Sequence, residues 1–126
     1  MTKVEKLKAI TLLYVEDDEL VRLGVYNFLK RRCKEVYLAE NGQEGLEQFH
    51  KYCPEMIITD IEMPVMNGME MIKEILESKE RQPIIITTGY NDDEHKSDRV
   101  CRNIIKPINL QELLEAICAC LKLEDD

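Results

Sequence analysis

The chain has no CxxC pair and no adjacent histidine pair, so its sequence carries no signal for zinc or for a disulfide framework. Its two histidines, His50 and His95, stand alone and do not point to a metal site. No apolar run approaches the ~18 residues of a membrane span. The opening MTKVEKLKAI lacks the apolar core of a signal peptide. Positive charge is in deficit: 17 Lys and Arg stand against 25 Asp and Glu, a net charge of −8. Such a balance repels a phosphate backbone and argues against direct nucleic-acid binding. No repeat, low-complexity tract or linker interrupts the pattern. These absences predict a cytoplasmic protein with no membrane segment, in which Cys33, Cys53, Cys101, Cys118 and Cys120 are reduced thiols.

What is present fits one domain over residues 1–126. The length supports a real core, and 44% apolar with 33% charged residues is ordinary for a globular protein. Apolar, β-branched runs recur as ITLLYV (10–15), EVYLA (35–39), MIITD (56–60), PIIIT (83–87) and a weak NII (103–105). Helical patterns fall between them. Val21, Val25, Phe28 and Leu29 mark the first, after an acidic cluster suited to a helix N-terminus. GQEGLEQFHKY supplies the second, and MEMIKEILESK the third, with Ile72, Ile75 and Leu76 on one face. Leu110, Leu113, Leu114, Ile117 and Leu121 mark the last, with Asn109 and Glu112 as its N-terminal cap. Near-continuous apolar strands alternating with helices predict a doubly wound parallel α/β sheet of five strands, covered on both faces.

In such sheets function gathers outside the carboxyl ends of the strands. The first run ends on Glu16 and Asp17, the third on Asp60, the fourth on Thr88 beside Gly89, and the fifth on Lys106. Acids, a hydroxyl and a lysine are thereby expected on one rim. Clustered carboxylates repel and require a proton or a cation between them. Oxygen-only donors favour a hard ion such as Mg²⁺, which keeps open positions for phosphate oxygens. Lys106 and Thr88 suit a phosphoryl group, and an aspartate beside Mg²⁺ can act as the nucleophile that carries it.

The ordered set LLYVEDD, IITDIEMPVMNG, PIIITTG and KPI resembles the receiver domain of two-component response regulators over roughly residues 8 to 123. That resemblance implies a flavodoxin-like sheet of order 2-1-3-4-5. It also implies Asp60 as phosphoacceptor, and Glu16, Asp17, Asp60 and the Glu62 backbone carbonyl as Mg²⁺ ligands. Thr88 becomes the hydroxyl that moves onto the phosphoryl group, Lys106 the lysine that pairs with it, and the bond before Pro107 is expected to be cis. A sensor histidine kinase or phosphotransfer protein is the implied donor, a downstream effector domain or protein the implied target, and a homodimer is compatible with the family. The implied role is a signalling switch that catalyses only its own phosphorylation and dephosphorylation. Glu62 and Tyr90, each two residues past a site residue, are expected to tune water access, with Tyr90 slowing phosphate loss.

Two departures stand out. Asn103 occupies a position where the family usually places an aromatic. The segment NDDEHKSDRVCR has almost no apolar stripe, so a helix there would be short or mobile. Both features support an alternative, a pseudo-receiver-like interaction module that works without phosphorylation. Met63, Met66, Met69 and Met71 read as loop packing and core filling, and Asn67-Gly68 as a turn before the third helix.

Overall fold

The computed structural model describes residues 1–126. Its elements run α1 (Lys3–Leu7), β1 (Thr11–Val15), α2 (Glu19–Leu29), β2 (Glu35–Ala39), α3 (Gly42–Tyr52), β3 (Met56–Asp60), α4 (Gly68–Ser78), β4 (Ile84–Thr88), a 3₁₀ turn (Asp93–His95), β5 (Arg102–Ile105) and α5 (Leu110–Cys120). All strand pairs are parallel, in the order β2-β1-β3-β4-β5. The central strands β3 and β4 are buried along their whole length. This explains their unbroken apolar runs, since a parallel strand between two helical layers has no solvent face.

Alternate residues of each strand enter opposite cores. Leu12, Tyr14, Met56, Ile58 and Ile85 join Val25, Leu29, Leu113 and Ile117 on one face. Leu13, Val15, Ile57, Ile84 and Ile86 join Phe49, Met71, Ile72 and Ile75 on the other. Met63, Met66 and Met69 pack against this second core, as apolar filling rather than a metal box. Thr2, Asp18, Asn41, Asn67 and Asn109 each accept a backbone N–H at the start of a helix, so all five α-helices begin on a side-chain cap.

Between β4 and β5 only one short 3₁₀ turn forms, as the shortage of apolar surface in that segment led us to expect. The expectation of reduced thiols throughout needs correction: Cys101 and Cys120 form a disulfide, with Cα atoms 6.0 Å apart across 19 residues of sequence. The fold brings the end of α5 beside the start of β5, a proximity that spacing alone does not reveal. Cys33, Cys53 and Cys118 are free, as expected. The peptide bond from Lys106 to Pro107 is cis. No helix is long and apolar enough to cross a membrane.

Candidate functional site

Two strand ends bring three acids together. Glu16 is fully buried just beyond β1, Asp60 is 7% exposed at the tip of β3, and Asp17 is exposed. One carboxylate oxygen from each lies within 4.8 Å of the others. Neighbouring Asp18 stands apart from this group, because its side chain caps α2 by accepting from Val21 N–H.

Several contacts fix the acids in place. Lys106 Nζ donates to Glu16 Oε1 at 2.7 Å and to Asp60 Oδ2 at 3.1 Å. The Asp18 N–H donates to Glu16 Oε2, and the Ile61 N–H donates to Asp60 Oδ1 at 2.7 Å. Arg22, itself buried, donates to the Glu16 carbonyl at 2.8 Å and reaches Glu40 at 3.2 Å. Burial raises the pKa of Glu16, although the hydrogen bonds from Lys106 and Asp18 oppose it. Burial works against the charge on Lys106, yet the Glu16 hydrogen bond and the Asp60 charge outweigh it, and the lysine pKa is raised. The lysine thus occupies, as a protonated ammonium, the space between two acids.

Close backbone approach shapes the rim. Gly68, the first residue of α4, donates its N–H to Ile61 O at 2.9 Å. A Cβ on Gly68 would stand 2.2 Å from the carbonyl oxygen of Asp60. The helix start is therefore pressed onto the strand that carries Asp60.

Thr88 lies at the end of the neighbouring strand and is buried. Its hydroxyl oxygen accepts from the Tyr90 N–H at 3.2 Å. Glu62 extends into solvent, where its carboxylate meets His95. The structure thus brings Glu16, Asp17, Asp60 and Lys106 into one cluster, with Thr88 at its border and the Glu62 side chain outside it.

Two participants were not legible in the sequence. Arg22 sits on a helix face otherwise given to Val21 and Val25, and nothing in its spacing points to Glu16. His95 follows Asp92 by three residues, a local pairing signal, but Glu62 lies 33 residues away. Asn103, at the position of the usual aromatic, turns its amide onto the backbone of Ser97.

The donor set is chemically narrow. Three carboxylates and no sulfur or imidazole fit a hard divalent cation of the Mg²⁺ type better than zinc. The larger surface clefts lie elsewhere, one of about 460 Å³ beside Tyr26, Tyr37 and Tyr52, and another of about 520 Å³ beside Asp93 and Lys96.

Comparison with known proteins agrees with this geometry. The family model described as the response regulator receiver domain matches residues 12–118. The chemotaxis protein CheY of Halobacterium salinarum is 30% identical over 110 residues, covering 84% of this chain and 92% of that protein. A response regulator of Streptococcus pneumoniae is 29% identical over 117 residues, 90% of this chain; the chain spans only 54% of that relative's length. Among solved structures, the response regulator TrrA of Thermotoga maritima, in complex with Mg²⁺ and BeF, superposes with a TM-score of 0.79 at 30% identity, covering 88% of this chain and 98% of that one. With a match across nearly its whole length, the chain belongs to the response regulator receiver domain family.

Proposed function

We propose that this receiver domain accepts a phosphoryl group on Asp60 from a histidine kinase or phosphotransfer protein, in a Mg²⁺-dependent reaction, and that residues 1–126 act as one cytoplasmic switch unit. The observation that carries the reading is the convergence of Glu16, Asp17 and Asp60 oxygens within 4.8 Å, bridged by Lys106. Glu16, Asp17, Asp60 and the Glu62 backbone carbonyl would hold the ion, which supplies charge neutralisation between the acids and the incoming phosphate oxygens.

Asp60 acts as nucleophile through the oxygen not engaged by the Ile61 N–H. The bond from phosphorus to the donor nitrogen breaks as the bond to the Asp60 oxygen forms. Lys106 needs only to swing from the carboxylates to a phosphoryl oxygen, and its protonated state makes it a ready partner. Thr88, whose hydroxyl oxygen accepts from the Tyr90 N–H, keeps its own proton free to donate to the phosphoryl group. These exchanges give the phosphorylated domain contacts that the resting state lacks, and only such differential contacts can shift a two-state equilibrium. The implied targets are an effector domain or protein, and a second copy is a compatible partner. The complete set of Asp60, Thr88 and Lys106 supports phosphorylation-dependent switching over a pseudo-receiver role.

Incubation with acetyl phosphate and Mg²⁺, followed by intact-mass measurement, tests the reading. Wild type should gain one phosphoryl group and Asp60→Asn none, and beryllofluoride should bind wild type only with Mg²⁺ present. An unmodified wild type would overturn it.

A further inference from the structure

Beyond the rim, the loops leaving β3 and β4 are tied together by one imidazole. His95 Nε2 lies 2.7 Å from Glu62 Oε1, and His95 Nδ1 lies 2.7 Å from Asp92 Oδ1. The same ring stacks on Tyr90, with centroids 4.1 Å apart and planes 18° from parallel. The His95 backbone N–H also donates to Asp92 Oδ1 at 3.0 Å, which fixes the 3₁₀ turn that carries the ring. Only 12% of the His95 side chain remains exposed, although it sits in a loop of acids.

The contact joins the two loops that leave the strand ends carrying Asp60 and Thr88. β3 and β4 are neighbours, with Asp60 opposite Thr87. Glu62 is two residues beyond Asp60, and Tyr90 is two residues beyond Thr88. An imidazole bonded to Glu62 and stacked on Tyr90 therefore spans adjacent strand ends. The Tyr90 backbone N–H in turn holds the Thr88 hydroxyl, so the ring is linked to the orientation of Thr88 as well.

We infer that His95 is a positioning residue that holds Glu62 and Tyr90 as a strap over the mouth of the Asp60 site, limiting how fast water and small phosphodonors reach it. The inference rests on Asp60 as the phosphoacceptor. Neither strap side chain needs to touch the reacting atoms; the strap acts by occupying the approach and by keeping the two loops from parting. The exposed carboxylate of Glu62 and the phenol of Tyr90 would each sample many rotamers alone, and a shared ring removes that freedom.

The test is a double-mutant cycle on His95→Ala and Glu62→Ala, read as rates of labelling by acetyl phosphate with Mg²⁺ and of phosphoryl loss after donor removal. Each single variant should raise both rates by about fivefold, the scale of one or two lost side-chain contacts. The double variant should match the single ones, because either change alone opens the strap. His95→Gln, which keeps a donor for Glu62, should fall between wild type and His95→Ala. Beryllofluoride affinity serves as the control for an intact acid cluster. Labelled wild type with His95→Ala rates within about twofold of it, or single effects that simply multiply in the double variant, overturns the strap alone. A wild type that is never labelled overturns the phosphoacceptor reading and the strap with it.

Discussion

Asn103 grips the backbone of Ser97 on both sides of its Cα: its Oδ1 accepts from the Ser97 N–H at 3.1 Å, and its Nδ2 donates to the Ser97 carbonyl at 2.9 Å. The amide takes over part of the work that a helix would do between β4 and β5, by anchoring an irregular segment to the sheet. Asn103→Ala should cost about 1–2 kcal/mol, the scale of two lost and partly buried hydrogen bonds. Faster amide exchange and proteolysis confined to residues 89–101 are expected. Uniform exchange across the chain would contradict a local anchor.

Lys106 occupies the space between Glu16 and Asp60 as a cation in its own right. Replacing it by methionine leaves a buried glutamate without its partner, and should cost about 2 kcal/mol in metal-free buffer, given that the lysine is partly exposed. Because the ammonium no longer competes for the acids, Mg²⁺ should raise the melting temperature of Lys106→Met more than that of wild type. Thermal melts across a Mg²⁺ titration decide it; equal shifts would show that lysine and metal do not share the site.

Two glycines should respond oppositely to alanine. A Cβ on Gly68 meets the Asp60 carbonyl oxygen at 2.2 Å, whereas one on Gly24, inside α2, meets nothing within 4 Å. Gly68→Ala should lose at least about 2 kcal/mol and displace the strand end, with slower labelling of Asp60. Gly24→Ala should gain up to about 1 kcal/mol from helix propensity, with labelling unchanged. Chemical denaturation of both variants provides the comparison.

The Cys101–Cys120 bond closes a loop across 19 residues of sequence separation, for which a crosslink contributes about 3 kcal/mol. Reduction should therefore lower the melting temperature of wild type, and Cys101→Ser should melt at the reduced value with or without reductant. Identical melting of oxidised and reduced wild type would remove the bond from the list of stabilising features.

Alkaline pH should weaken the fold through Cys33. Burial pushes this thiol from 9.0 up to about 11, helped by the nearby Cys118. The folded state then holds a proton that the unfolded state releases. The associated stability is complete below pH 9, and is lost as pH rises towards about 11. Denaturation midpoints of wild type and Cys33→Ala over that range should converge as the pH climbs; parallel curves would refute the assignment.

Much of the fold could be read in advance because it depends on local patterning. The run GQEGLEQFHKY is helix α3 residue for residue, and the Asn109 cap of α5 is where the spacing put it. The strands were legible from their unbroken apolar character, and their ends named the rim. What escaped prediction are contacts made by topology between distant residues: Cys101 with Cys120, His95 with Glu62, Arg22 with the backbone of Glu16. The N-terminal helix α1 escaped because it has only five residues and one buried side chain, Leu7, too short for a periodic signal.

Sorting of alternate strand residues into two different cores has a consequence for how the chain reaches its native state. A slip of β3 by a single position against β1 would send Ile57 to the face built around Leu29 and Ile117, and Ile58 to the face built around Phe49 and Ile75. The same slip would offer Thr59 where the acid belongs. Misalignment is thus penalised by side-chain fit long before any chemistry is attempted, and the accuracy of the nucleophile's placement is inherited from the folding of the hydrophobic interior.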